Sequence, residues 1–409
     1  MNKIKEFFDK KYIIVNKCII YFLILSMSLF LSTDFFPIIE ICLVIVAIYL
    51  LLYCYMKKFK PIVDFIKSPF FIWYILFWLF VVIITFLRNE GQLIVLIKTL
   101  IVFTSYIFGF GILYIDEKVK QKLNIYDMME EIAVFLSIWI LIWDFQLLVQ
   151  GKRIGYSVMI GNPNAAGTLL SIYIFFIVYK INQSTSKKEL IKHVLALILC
   201  FFVILMTGSK KSIIMAVISF LLFLFKDGKF IWKRLLYFCI IGVIVAVSCF
   251  AVPVLYQNVG RRFLSLFGEL GIIEFQSDYS SEARVEYSEL AIELWKENPI
   301  IGGGYDNFKV HSGYDTYSHN NYTELLSSVG LIGLILYYAY YFLLLKKNIL
   351  IKNMKSRMIV LFIIATLITD VGAVTFSIYP IYYIVLLIMS DDTKKDKNKE
   401  VIDEKQQNR

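Results

Sequence analysis

Long apolar runs alternate with short basic connections along most of this chain, and most of the runs are long enough to cross a bilayer as a helix. Twelve runs fall at about 12–32, 37–56, 70–87, 93–115, 130–149, 165–181, 190–207, 212–226, 231–255, 320–345, 357–371 and 375–390. The last two are short and broken by Asp370, Gly372 and Pro380, so ten or eleven spans also fit. The pattern predicts an all-α fold: a polytopic membrane helical bundle of about 12 spans. Nine spans occupy residues 1–255 and three occupy 320–390. Residues 256–319 hold the longest polar stretch between hydrophobic segments and predict one large extracytoplasmic loop with short helices. The lysine-rich end, 391–409, predicts a disordered tail. Met1 to Lys17 is basic and precedes a run of spanning length, which reads as a first helix rather than a cleaved signal.

Composition agrees with the pattern. The chain has 409 residues, of which 59% are hydrophobic and 18% charged, with a mean hydropathy of +0.71. Soluble domains are nearer half apolar and carry more charge. The net charge of +10 comes mainly from lysines in short loops, so it is no argument for nucleic acid. With the N-terminus cytoplasmic, the cytoplasmic pieces hold 31 of the 42 Lys and Arg residues. That asymmetry predicts a multi-pass protein of the cytoplasmic (inner) membrane with both termini inside and 256–319 outside. The six cysteines sit in or beside apolar runs with no CxxC spacing, so buried thiols are expected.

The outer loop carries the candidate chemistry. Arg261-Arg262-Phe263-Leu264 is basic and apolar, which suits lipid head groups and an anionic substrate equally. Over 282–297, Ala283, Tyr287, Leu290, Ala291 and Leu294 share one face at helical spacing, and Arg284 stands in the first turn, where the helix dipole disfavours a cation. Gly302-Gly303-Gly304 predicts a sharp turn. Asn321-x-x-Glu324 predicts a capping box, with His319 just ahead of the helix. A helix N-terminus among Arg and Lys is an anion site, and phosphate suits it. Two further outer pieces join it: the Asn162-Pro163-Asn164 turn, in which Asn164 is a cap or a site residue, and Gly208-Ser209-Lys210-Lys211. Asp144 and Lys98, ionisable residues within predicted spans, are candidates by position. His193 reads as interfacial on the cytoplasmic side and His311 as a loop residue.

These pieces, in this order, resemble the O-antigen ligase/polymerase family of integral membrane glycosyltransferases, which includes Wzy-type polysaccharide polymerases. The matching residues are Asn162-Pro163-Asn164, Gly208-Ser209-Lys210, Arg284, Asn298-Pro299-Ile300-Ile301-Gly302-Gly303-Gly304 and His319-Asn320-Asn321-Tyr322, with Gly330 and Gly333. The resemblance covers about residues 160–340. It implies transfer of a glycan from undecaprenyl diphosphate to an acceptor hydroxyl, with no metal or other cofactor. It also implies a chain-length regulator and a flippase as pathway partners. The family's basic residue after the Gly-Ser turn is usually Arg; Lys210 keeps the charge but not the bidentate fork.

The residues fit that chemistry. A diphosphate leaving group needs cations: Arg284, Lys210 and Lys211, with Arg261, Arg262 and Arg153 in reserve. A sugar hydroxyl needs a base, and His319 suits the role. Asn164 is a further candidate contact, and Tyr305, with Asp306, Tyr314, Asp315 and Tyr317, offers sugar-binding groups. The expected function is polymerisation of lipid-linked repeat units into capsule, exopolysaccharide or O-antigen. The alternatives are a ligase that transfers finished glycan to lipid A core or protein, and a flippase. A flippase would place its polar residues inside spans, often in inverted repeats, and no repeat is evident.

Overall fold

The computed structural model describes residues 2–29, 36–116, 119, 123–156, 161–226, 229–269, 272 and 279–390. The tail expected to be disordered, 391–409, lies outside the described residues. The helices are α1 (Asn2–Leu29), α2 (Phe36–Met56), α3 (Lys60–Ile66), α4 (Pro69–Arg88), α5 (Leu93–Ile115), α6 (Ile125–Trp143), α7 (Phe145–Val149), α8 (Pro163–Gln183), α9 (Lys187–Thr207) and α10 (Lys210–Phe220). There follow α11 (Trp232–Ala251), α12 (Arg261–Glu269), α13 (Tyr279–Glu297), α14 (Asn307–His311), α15 (Asn321–Asn348) and α16 (Met354–Thr369). The last, α17, is Ile381–Ser390. One two-residue strand pair, Phe225–Lys226 with Lys229–Phe230, is the only sheet among the described residues.

Among the described residues, six helices are long and apolar enough to span a membrane: α4, α5, α8, α9, α11 and α15. A seventh span arises if α2 and α3 count as one, although they meet at 106°. That bend has a local cause. Lys58 and Phe59 adopt left-handed φ angles of 52° and 57°, and a proline opens the new helix. Length and composition thus support six or seven spans among the described residues, against the twelve expected. The other apolar runs fold into shorter or more charged helices. α10 has 11 residues before it tightens to a 3₁₀ turn at Leu221–Leu224, α16 has 16, and α6 carries Asp127, Glu130 and Glu131 near its start.

α8 is the centre of the bundle. Every residue from Ala165 to Val178 is buried, as suits a helix apolar on all sides. α6, α9, α10 and α16 pack around it. Gly167 permits the approach of α10, since a Cβ there would meet Ser212 Oγ at 2.7 Å and Thr207 Oγ1 at 2.8 Å. On the other side α4 packs against α15. The Trp73 ring stacks on Tyr340 with centroids 4.8 Å apart, and Trp73 Nε1 donates to Leu336 O at 2.8 Å. α11 exposes Leu236, Ile240, Val243, Ile244 and Val247, the surface a lipid-facing span requires.

α15 breaks at Gly330, with φ 63° and ψ −167°. The Pro299–Gly304 segment fills the break. Gly303 N and Gly304 N donate to Ser327 O and Ser328 O at 2.9 and 2.7 Å. Leu331 N and Ile332 N donate to Pro299 O and Ile300 O at 3.0 and 3.1 Å. Backbone groups freed inside a membrane must find new partners, and this segment supplies them. The glycine run is therefore more than a turn: a Cβ on Gly302 would stand 2.5 Å from the Ser328 carbonyl.

Candidate functional site

α13 has two faces. Ala291 and Leu294 pack on Phe308 of α14, with Tyr287 and Leu290 beside them, which is the apolar face expected from the spacing. The opposite face, from Arg284 to Lys296, is one wall of a cavity of about 760 Å³. The other walls come from distant parts of the chain. They include Asn164 of α8, Lys210 and Lys211 at the start of α10, Arg262 of α12, Asn320, and Val371 and Gly372 after α16. Asn164, Lys210, Lys211, Arg262 and Arg284, all predicted from sequence, thus share one cavity. Arg153, Arg261 and Tyr305 do not line it.

Arginines brace the turn that presents the two lysines. Gly208 ends α9 in the left-handed conformation, φ 59°, and a Cβ there would meet Asn258 O at 2.5 Å. Arg153 Nε donates to Thr207 O at 2.6 Å and its Nη2 to Asn164 Oδ1 at 3.1 Å. Arg262 Nη1 donates to Gly208 O at 3.2 Å. Both guanidinium groups sit where the last carbonyls of α9 carry partial negative charge. Lys210 Nζ donates to Ser265 Oγ and Lys211 Nζ to Gly372 O, each at 3.2 Å. Arg261 is exposed on α12. Tyr305 is buried, its N donating to Thr85 Oγ1 at 2.9 Å and its O accepting from Asn89 Nδ2 at 3.1 Å, so it ties the glycine segment to α4.

His319 stands beside the cavity, one residue from Asn320 in its wall. Its ring stacks on Tyr287 with centroids 6.0 Å apart and contacts Tyr317 at 4.3 Å. Burial, and then the charges of Arg284 and Lys211, pull its pKa down to about 4. The imidazole is therefore neutral at pH 7 and able to accept a proton. Its backbone is left-handed at φ 60°, a conformation costly for most side chains.

The O-antigen ligase family model matches residues 195–338. That match covers about a third of the chain and is a similarity to O-antigen ligases over this stretch. The matched stretch contains Lys210, Lys211, Arg262, Arg284 and His319; Asn164 and the wall around Gly372 lie outside it. Comparison with curated proteins gives no match.

Several residues in and around the matched stretch differ from the sequence reading. The cap of α15 is Asn320, not Asn321: Asn320 Oδ1 accepts from Tyr322 N at 2.9 Å and Thr323 N at 3.4 Å. Glu324 instead accepts from Ser318 N at 2.7 Å, fixing the residue before His319. Asn321 turns inward to Asp370, Tyr338, Thr375 and Phe376. Likewise Asn162 caps α8 by accepting from Asn164 N at 2.8 Å, which leaves the Asn164 side chain to Arg153 and the cavity. Asp144 ends α6, and its carboxylate accepts from Gly155 N at 2.5 Å and Tyr156 N at 2.9 Å. Lys98 is exposed on α5. His193, near the start of α9, is buried by protein. Its Nδ1 lies 2.7 Å from Glu130 Oε1, and Lys180 approaches Glu130 and Asp127 at the far end of the bundle. A buried charge requires such a partner, and one sequence gives no sign of it. His311 ends α14 with Nδ1 at 3.1 Å from Asn307 O.

Proposed function

We propose that this multi-pass membrane protein transfers a glycan from an undecaprenyl diphosphate carrier to a sugar hydroxyl on the extracytoplasmic side. The observation that carries the reading is the convergence of Lys210, Lys211, Arg262 and Arg284 on one cavity beside a neutral His319. The matched O-antigen ligase family supports an enzyme of the glycosyltransferase kind. In the reaction, the acceptor oxygen attacks the anomeric carbon and the diphosphate leaves. The cations hold the charge that grows on the leaving oxygens, in a cavity partly shielded from water. His319 takes the acceptor proton. Burial lowers its proton affinity most and the cations Arg284 and Lys211 lower it further; the arriving diphosphate offsets the cations and raises that affinity when a base is needed. A single displacement inverts the anomeric centre. Arg153 and Tyr305 act from behind, by holding Asn164, the Lys210 turn and the glycine segment in place.

Polymerisation of repeat units is the preferred reaction and ligation to lipid A core or protein the second, since the matched family is described by ligation. Mass analysis of carrier-linked sugars in cells tests both. Arg284→Ala and the double variant Lys210→Ala, Lys211→Ala should insert normally and lose surface glycan. A blocked polymerase leaves single repeat units on the carrier, whereas a blocked ligase leaves full-length chains. Wild-type surface glycan in both variants would remove the diphosphate clamp.

A further inference from the structure

The α13 wall of the cavity changes character along its length. At one end Arg284 joins Lys210, Lys211 and Arg262. Beyond it the same wall presents Val285, then Ser288 and Glu289, then Ile292 and Glu293. At a rise of about 1.5 Å per residue, Glu289 lies about 7 Å and Glu293 about 13 Å past Arg284 along the axis. A diphosphate held at the cationic end would direct its attached glycan along this row.

We propose that Ser288, Glu289 and Glu293 form a glycan subsite that selects uncharged or amine-bearing sugars next to the diphosphate and rejects sugars bearing a carboxylate. The inference rests on the carrier-diphosphate reading above. Ionised carboxylates only accept hydrogen bonds, so they pair with hydroxyl, amide N–H and ammonium groups. Both carboxylates are solvent-accessible on the cavity wall, and a uronate placed against them would be a like-charge contact, the repulsive element from which specificity is built. Val285 and Ile292 give the apolar faces of the sugar rings something to cover. Lys296, one turn past Glu293 in the same wall, offsets part of the charge there. Discrimination is therefore sharpest at the first sugar, opposite Glu289.

The test measures binding of three probes to the full chain in lipid nanodiscs: undecaprenyl diphosphate, undecaprenyl diphosphate–glucose and undecaprenyl diphosphate–glucuronate. The two sugars differ only in a CH₂OH replaced by a carboxylate. Wild type should bind the glucuronate probe at least about tenfold more weakly than the glucose probe, as a like-charge contact requires. The double variant Glu289→Gln, Glu293→Gln should lose most of that discrimination and still bind the bare carrier as wild type does. Equal binding of both sugar probes by wild type, or discrimination unchanged in the double variant, would overturn the subsite while leaving the carrier reading intact. No binding of the bare carrier by wild type would instead remove the carrier reading, and the subsite with it.

Discussion

Asn321 and Asp370 are bonded to each other twice: Asn321 N donates to Asp370 O at 2.8 Å, and Asn321 Nδ2 donates to Asp370 Oδ2 at 3.3 Å. Asn321 Oδ1 also accepts from Thr375 N at 2.8 Å and Phe376 N at 3.1 Å. Tyr338 and Thr375 hydroxyls complete the Asp370 carboxylate at 2.7 and 2.9 Å. Both residues are fully buried. The start of α15, which follows His319, is thereby locked to the segment whose Gly372 carbonyl holds Lys211. The lock sets the distance between the proposed base and one of the proposed cations.

Asn321→Ala would leave two buried backbone N–H groups and a carboxylate short of partners. Each such group costs about 1–3 kcal/mol. Thermal unfolding of the purified protein in detergent should show a clear drop in melting temperature relative to wild type. An unchanged melting temperature would mean that the lock carries no stability.

The break in α15 predicts a contrast between two glycines. A Cβ at Gly330 would stand 2.5 Å from Gly302 N and from the Ile300 carbonyl, whereas a Cβ at Gly313 meets nothing within 4 Å. Both have positive φ, 63° and 79°, so both alanines carry backbone strain, and at Gly330 the ψ of −167° falls in a region essentially confined to glycine. Gly330→Ala adds a steric clash with the segment that fills the break. Its folded yield in membranes should collapse while that of Gly313→Ala stays near wild type. Equal yields would contradict the wedge role of Pro299–Gly304.

The low proton affinity of His319 has a pH signature. The unfolded imidazole titrates near about 6.5, the folded one near about 4, so the unfolded state holds more protons between those values. His319 therefore lowers stability as pH falls through that window, fully so below about 4. The neutral ring should react with diethyl pyrocarbonate at pH 5, as peptide mass mapping can read. Arg284→Gln removes one of the depressing charges and should reduce that reaction at pH 5. Burial, the largest cause, remains, so the shift is partial. No reaction of His319 in wild type at pH 5, with full reaction at pH 8, would contradict the assignment.

The lysine asymmetry predicts the orientation. A cysteine introduced at Ser312 should react with an impermeant thiol reagent on intact cells, and one at Lys188 should not. The opposite pattern would invert the topology and put the cavity on the cytoplasmic side.

Hydropathy made the long helices legible. The predicted 93–115 and 70–87 runs compare with α5 at Leu93–Ile115 and α4 at Pro69–Arg88. Among the described residues six or seven of the twelve expected spans are matched by helices long and apolar enough, and apolar runs such as 212–226 fold as shorter, largely protein-covered helices. The cavity residues Lys210, Lys211, Arg262 and Arg284 stood out through charge on the side where charge is scarce, and Asn164 through its Asn162-Pro163-Asn164 turn. Asn321 and Asp370 did not. Their importance lies in bonds across 49 residues of sequence, and no periodicity encodes such a partner. The capping box was read one residue late because its spacing is satisfied by Asn321 and Glu324, whereas the left-handed turn at His319 puts Asn320 in the cap position.

The central claim is that His319 takes the acceptor proton while the neighbouring cations hold the departing diphosphate. His319→Asn tests it most directly, because Asn tolerates the left-handed backbone that His319 adopts and cannot serve as the base. Positioned proton transfer is worth about 10²–10⁴-fold in rate, so the variant should be nearly inactive at normal protein levels. The measurement is mass analysis of carrier-linked sugars together with electrophoresis of surface glycan, for wild type and His319→Asn. The account predicts loss of polymer and accumulation of single repeat units on the carrier; wild-type chain lengths with no accumulation would contradict it.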